Sequence, residues 1–66
     1  MIKKLHGKSA ARWNGQFCTI DGQRAKVTGR GTEYATIASL ETSLAIVFSW
    51  VAVDRVMSAN RSFKSM

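Results

Sequence analysis

Proline is absent from this 66-residue chain, and cysteine and histidine each occur once. The single cysteine, Cys18, excludes an internal disulfide. With His6 the only histidine, a structural zinc site built from Cys and His is excluded too. Acidic residues are scarce. Asp21, Glu33, Glu41 and Asp54 lie far apart, so no paired carboxylates can be argued. No nucleophile stands beside a base. The segment Gly29-Arg30-Gly31-Thr32 lacks the further glycine and the lysine of a phosphate-binding loop, and reads as a hairpin turn. His6 reads as a solvated residue and Cys18 as a small buried thiol. We therefore expect no enzyme activity, no metal and no cofactor.

Long apolar runs are missing as well. The longest, Leu44 to Val53, is interrupted by Ser49 and closed by Asp54. It is about half of the roughly 20 residues that a spanning helix needs. The basic start, Met1 to Lys8, is followed by no apolar run of signal-peptide length. One unpaired cysteine suits a reducing compartment. The expectation is a cytoplasmic protein with no membrane segment. A chain of this size makes one domain and buries only about 60% of its unfolded surface. Its core supplies about 3–5 kcal/mol without further help. With disulfides and zinc excluded, oligomerisation is the help left open.

Charge is what the chain does have. Ten Lys and Arg against four Asp and Glu give a net charge of +6. Residues 1–30 hold seven of those cations against Asp21 alone, whereas residues 31–66 balance three cations with three acids. Such asymmetry suggests a polyanionic partner such as nucleic acid, or an anionic membrane surface, and the bland alternative is charge kept for solubility.

The five glycines, at 7, 15, 22, 29 and 31, punctuate the first half. Residues 1–13 read as a basic arm or a short helix, residues 14–57 as a small β domain, and residues 58–66 as a polar, frayed tail. Asn14-Gly15 is a turn pair. Gln16 to Ile20 reads as a short strand. Asp21-Gly22 follows as the strongest hairpin signal. In the next strand, Gln23 to Gly29, Ala25 and Val27 share one face, while Arg24, Lys26, Thr28 and Arg30 share the other. Glu33 to Leu40 reads as a third strand and Leu44 to Trp50 as a fourth. Val51 to Met57 reads as a fifth, after a tight bend near residues 49–51.

The fourth strand is apolar on both faces. Leu44, Ile46, Phe48 and Trp50 lie on one, Ala45 and Val47 on the other. A strand of that kind is buried on both sides. Two readings fit: a subunit interface through residues 44–50, making the protein a homo-oligomer, or a strongly bent barrel strand that turns both faces inward. Five short strands joined by hairpins suggest a mainly β, closed or nearly closed barrel, and the smallest common form is the SH3-like barrel.

The turn and strand Asp21 to Gly29, the strand Tyr34-Ala35-Thr36-Ile37, and the segment Ile46 to Val56 resemble an SH3-like barrel that ends in a tight turn and a short last strand. Within that group the order over residues 16–57 is similar to the Sm-like family, Hfq-type proteins included. There a short helix precedes five strands, and an Asx-Gly turn opens the second. Strands four and five of neighbouring subunits close a ring that binds single-stranded RNA. The resemblance implies an oligomeric RNA-binding barrel. The chain departs from it at Phe48-Ser49-Trp50-Val51, where Hfq-type proteins carry an aromatic-Lys-His-Ala motif. The rhythm also resembles the plasmid-encoded trimethoprim-resistant dihydrofolate reductases. Their Val-Gln-Ile-Tyr strand would fall near Ala45-Ile46-Val47-Phe48, where the Gln and Tyr are missing.

For binding, Arg24, Lys26 and Arg30 repeat along one strand. Alternate strand residues are about 6.6 Å apart, which can place cations along a phosphodiester backbone. Lys3, Lys4, Lys8 and Arg12 in the arm can wrap the same partner. Trp13 and Tyr34 are the candidate stacking platforms for bases. The leading expectation is a non-catalytic module for single-stranded RNA or DNA with little sequence preference. The rival is a protein-interaction module, such as a phage or mobile-element product that docks on an acidic host protein.

Overall fold

A computed structural model describes residues 11–65. The expected arm therefore lies, up to residue 10, outside the described residues. Ala11–Trp13 forms one turn of 3₁₀ helix. Four strands follow, β1 (Phe17–Ile20), β2 (Gln23–Gly29), β3 (Tyr34–Ser39) and β4 (Ala45–Ser49). A helix, α1 (Trp50–Ala59), then leads to a two-residue strand, β5 (Ser62–Phe63). The protein is mainly β, with five strands in one sheet curled into a half-barrel and one helix.

Local chemistry explains the meander. Ile20 pairs with Gln23, which leaves Asp21-Gly22 as a two-residue hairpin loop. Both loop residues have positive φ, 52° at Asp21 and 80° at Gly22. That is the turn whose twist matches the flanking strands, and Asp-Gly is its preferred sequence. Asn14 braces the next connection, where its side-chain Oδ1 accepts from the Gly29 N–H at 3.0 Å. Ser39 closes β3. Its Oγ accepts from the N–H groups of Glu41 and Thr42, both at 3.0 Å, and donates to Gln23 Oε1 at 2.8 Å.

The sheet order is β4-β3-β2-β1-β5, antiparallel except for β5, which runs parallel to β1. Alternation sends Cys18, Ile20, Ala25, Val27, Ala35 and Ile37 into the hollow of the sheet. The helix fills that hollow with Trp50, Val53 and Met57, and β5 adds Phe63. Phe63 lies 5.1 Å from the Phe48 ring, tilted by 45°. The Trp50 Nε1–H donates to the Gly31 carbonyl at 3.1 Å.

The second half of the chain departs from expectation in three places. The segment read as a fifth strand, Val51 to Met57, is helical. Ser49 is its N-cap, and its Oγ accepts from the Ala52 N–H at 3.2 Å. Trp50, Val53 and Met57 then fall on one helical face. The tail read as frayed is not free either, because β5 pairs with β1 through Thr19 opposite Ser62 and Ile20 opposite Phe63. Finally, β4 does not turn both faces inward within one chain, which overturns the bent-barrel reading of that strand. Leu44, Ile46 and Phe48 pack inward, but Ala45 and Val47 face outward and are exposed, and Trp50 belongs to the helix. No helix among the described residues is long and apolar enough to cross a membrane.

Candidate nucleic-acid interface

The outer face of the sheet follows from the parity that fills the core. With Cys18 and Ile20 inward, Phe17 and Thr19 must face out. With Ala25 and Val27 inward, Arg24, Lys26 and Thr28 face out. The hairpin register sets Phe17 opposite Lys26 and Thr19 opposite Arg24. Phe17 is 61% exposed, unusual for a phenyl ring in so small a domain. The Lys26 Nζ lies 5.8 Å from its ring centroid, within cation–π range.

Arg24 sits at the Gln23 end of β2. Its N–H donates to Glu41 Oε2 at 2.8 Å, and its Nε lies 3.5 Å from the same oxygen. Its charge is thus partly answered by Glu41. Lys26 is exposed at mid-strand. Arg30 lies beyond the other end, in the connection to β3, where its N–H donates to the Tyr34 carbonyl at 3.1 Å. Two of the three cations read from the sequence, Arg24 and Lys26, therefore share the outer face of β2, and Arg30 follows just past its end. Tyr34, 50% exposed, stands at the Arg30 end, opposite Ser49.

The second group of expected residues is arranged differently. Trp13 is half-buried against the core and is not a free stacking platform. Its Nε1–H donates to Asp54 Oδ1 at 2.9 Å, and Arg12 Nη2 donates to the same oxygen at 3.0 Å. The guanidinium carbons of Arg12 and Arg61 lie 4.9 and 5.6 Å from the indole. Arg61 also donates to the Phe17 carbonyl at 3.3 Å, which joins this cluster to the start of β1. Lys3, Lys4 and Lys8 lie outside the described residues.

Two residues of this surface were not singled out from the sequence. For Phe17 a signal existed, because the Asp21-Gly22 hairpin alone fixes its pairing with Lys26. For Arg61 none did. It follows α1 with φ 55°, and that left-handed turn aims it back at Trp13.

Two carboxylates are tuned by their neighbours. The Trp13 indole N–H, with Arg12 beside it, holds Asp54 below its ordinary value of 3.8. Asp21 is also lowered, because Ser65 donates to it from both hydroxyl and backbone at 2.6 and 2.9 Å. A carboxyl whose folded pKa is depressed adds stability above its unfolded pKa, and that stability is lost as pH falls through the folded value. The thermal midpoint should hold steady down to about pH 5 and drop below about pH 4. The Asp54→Asn and Asp21→Asn variants should show a shallower acid drop. Melting curves followed by circular dichroism check this, and an unchanged acid slope in both variants would contradict it. Burial pushes the Cys18 thiol above its ordinary value of 9.0, against a smaller opposing pull from Arg61, so it is not a ready nucleophile.

No cluster of three or more His, Cys, Asp or Glu able to hold a metal occurs among the described residues. No family model, curated protein or solved structure matches this chain.

Proposed function

We propose that this protein binds single-stranded RNA or DNA with little sequence preference, on the outer face of β1 and β2. The observation that carries the reading is the exposed Phe17 ring set directly opposite Lys26, with Arg24 on the same strand and Arg30 just past its end. A base can stack on the ring while the cations follow the phosphates. Stacking of this kind is worth about 1–3 kcal/mol per base. Phosphate contacts add affinity by counterion release, with a slope of about −0.7 per contact on single strands. Tyr34 offers a second ring near Arg30. The Sm-like resemblance adds no support, because the last strand it implied, over residues 51–57, is the helix α1. This chain lacks the Lys and His of the Hfq-type motif, so binding rests on backbone charge and stacking.

Exchanging Arg24, Lys26 and Arg30 together for Gln should weaken oligonucleotide binding and flatten log affinity against log salt by about 2. Phe17→Ala should weaken it by about 1–3 kcal/mol with the salt slope kept. Fluorescence anisotropy with a labelled single strand across a salt series separates the two effects. Unchanged affinity in both variants rejects the site. A nucleic-acid-free spectrum and no oligonucleotide binding by the parent would transfer the cationic face to an acidic protein partner.

A further inference from the structure

The two edges of the sheet are not alike. β5 is two residues long and is flanked by Arg61 and Lys64. A short, charged edge of this kind resists pairing with another strand. β4 is five residues long, Ala-Ile-Val-Phe-Ser, and no strand lies beyond it among the described residues. It carries no charge, proline or glycine. The whole run from Leu44 to Val53 is uncharged in a chain of net charge +6.

The hydrogen bonds to β3 show which groups of β4 are free to pair. The Ser39 N–H donates to the Leu44 carbonyl at 2.8 Å, and the Trp50 N–H to the Glu33 carbonyl at 2.9 Å. In an antiparallel ladder such pairs recur at every second residue. Ile46 and Phe48 therefore bond to β3. The N–H and C=O groups of Ala45 and Val47, and the N–H of Ser49, point away from the sheet.

We infer that β4 pairs with β4 of a second copy, antiparallel across a two-fold axis at Val47, to make a closed dimer with a continuous ten-stranded sheet. That register sets Val47 opposite its own copy and Ala45 opposite Ser49, so every outward-pointing residue of the strand meets another. It also covers Val47, which is 48% exposed in the single chain. Charge favours a second copy as the occupant. Two chains of net charge +6 repel, and this uncharged edge lets them meet without bringing the cations of β2 together, since Arg24 and Lys26 lie two strands away. The axis stands perpendicular to the sheet, so the outer faces of both copies look the same way and their cationic strands share one surface. The dimer stands or falls independently of the nucleic-acid reading.

Ultracentrifugation after nuclease treatment should give twice the 7.3 kDa chain mass. V47K and V47E should each give one chain at the concentration where the parent gives two, because like charges then face each other directly across the axis. An equimolar mixture of the two variants should recover the two-chain mass. Amide exchange on the unaltered protein tests the register without any substitution. The Ala45 and Val47 amides should be protected when concentrated and lose at least tenfold in protection on dilution. A parent mass of one chain, or of three or more, overturns the dimer. So does a two-chain mass that survives both V47K and V47E. Protection of those amides in a one-chain species would give the edge to residues 1–10 and overturn it equally.

Discussion

Replacing Trp50 with alanine should leave the chain largely unfolded at room temperature. Trp50 is the largest side chain in the core and is 2% exposed. Truncating a buried tryptophan costs about 3–5 kcal/mol. A core of this size supplies about the same amount in total. The indole also spans two elements. Its N–H donates to the Gly31 carbonyl, and its backbone N–H donates to the Glu33 carbonyl, so it ties the start of α1 to the β2–β3 connection. Alanine would keep the backbone bond but leave the Gly31 carbonyl without its partner. The neighbouring Val51 is exposed, and Val51→Ala should shift stability by no more than about 0.5 kcal/mol. Urea titration followed by far-ultraviolet circular dichroism compares the pair. A cooperative Trp50→Ala transition with the parent midpoint would contradict the assigned packing.

Phe63→Ala should be nearly as damaging. Phe63 is 2% exposed, pairs in register with Ile20, and lies against Phe48. The expected cost is about 3–5 kcal/mol. The exposed neighbour Lys64 provides the contrast, since Lys64→Ala should cost no more than about 0.5 kcal/mol. A frayed tail would make both substitutions silent, whereas a core residue makes only one of them severe. Chemical denaturation of the two variants side by side distinguishes these outcomes, and a silent Phe63→Ala would remove β5 from the fold.

The first half of the fold could be read from the sequence because its information is local. Asp21-Gly22 adopts two adjacent positive φ angles, and few other pairs do so cheaply. That turn sets the register of β1 and β2, and alternation then sorts Ala25 and Val27 from Arg24 and Lys26. The second half could not be read this way. Trp50-Val51-Ala52-Val53 is β-branched and aromatic, which favours a strand. Ser49 as N-cap and the 50, 53, 57 spacing favour a helix, and packing against the hollow decides between them. Phe63 stands alone among polar residues, so no periodicity announces it. Its partner Ile20 is 43 positions away, and β1–β5 pairing is parallel.

The candidate interface divides in the same manner. Arg24 and Lys26 follow from strand parity, Arg30 falls past the end of β2 where parity no longer applies, and Phe17 follows once register is carried across the hairpin. The surroundings of Trp13 do not. Asp54 is 42 residues from Arg12, and Arg61 reaches the indole only because α1 ends in a left-handed turn. Contacts of that kind depend on tertiary closure, which single-strand patterns do not encode.

Ala25 and Ala35 line the middle of the sheet and are fully buried, yet their side chains are single methyl groups. They make the meander a mould with empty space at its centre. The rings and branched chains that occupy the space come from positions 50 to 63. Neither the mould nor its filling holds together alone, so the domain has no stable half and must assemble and melt as one cooperative unit.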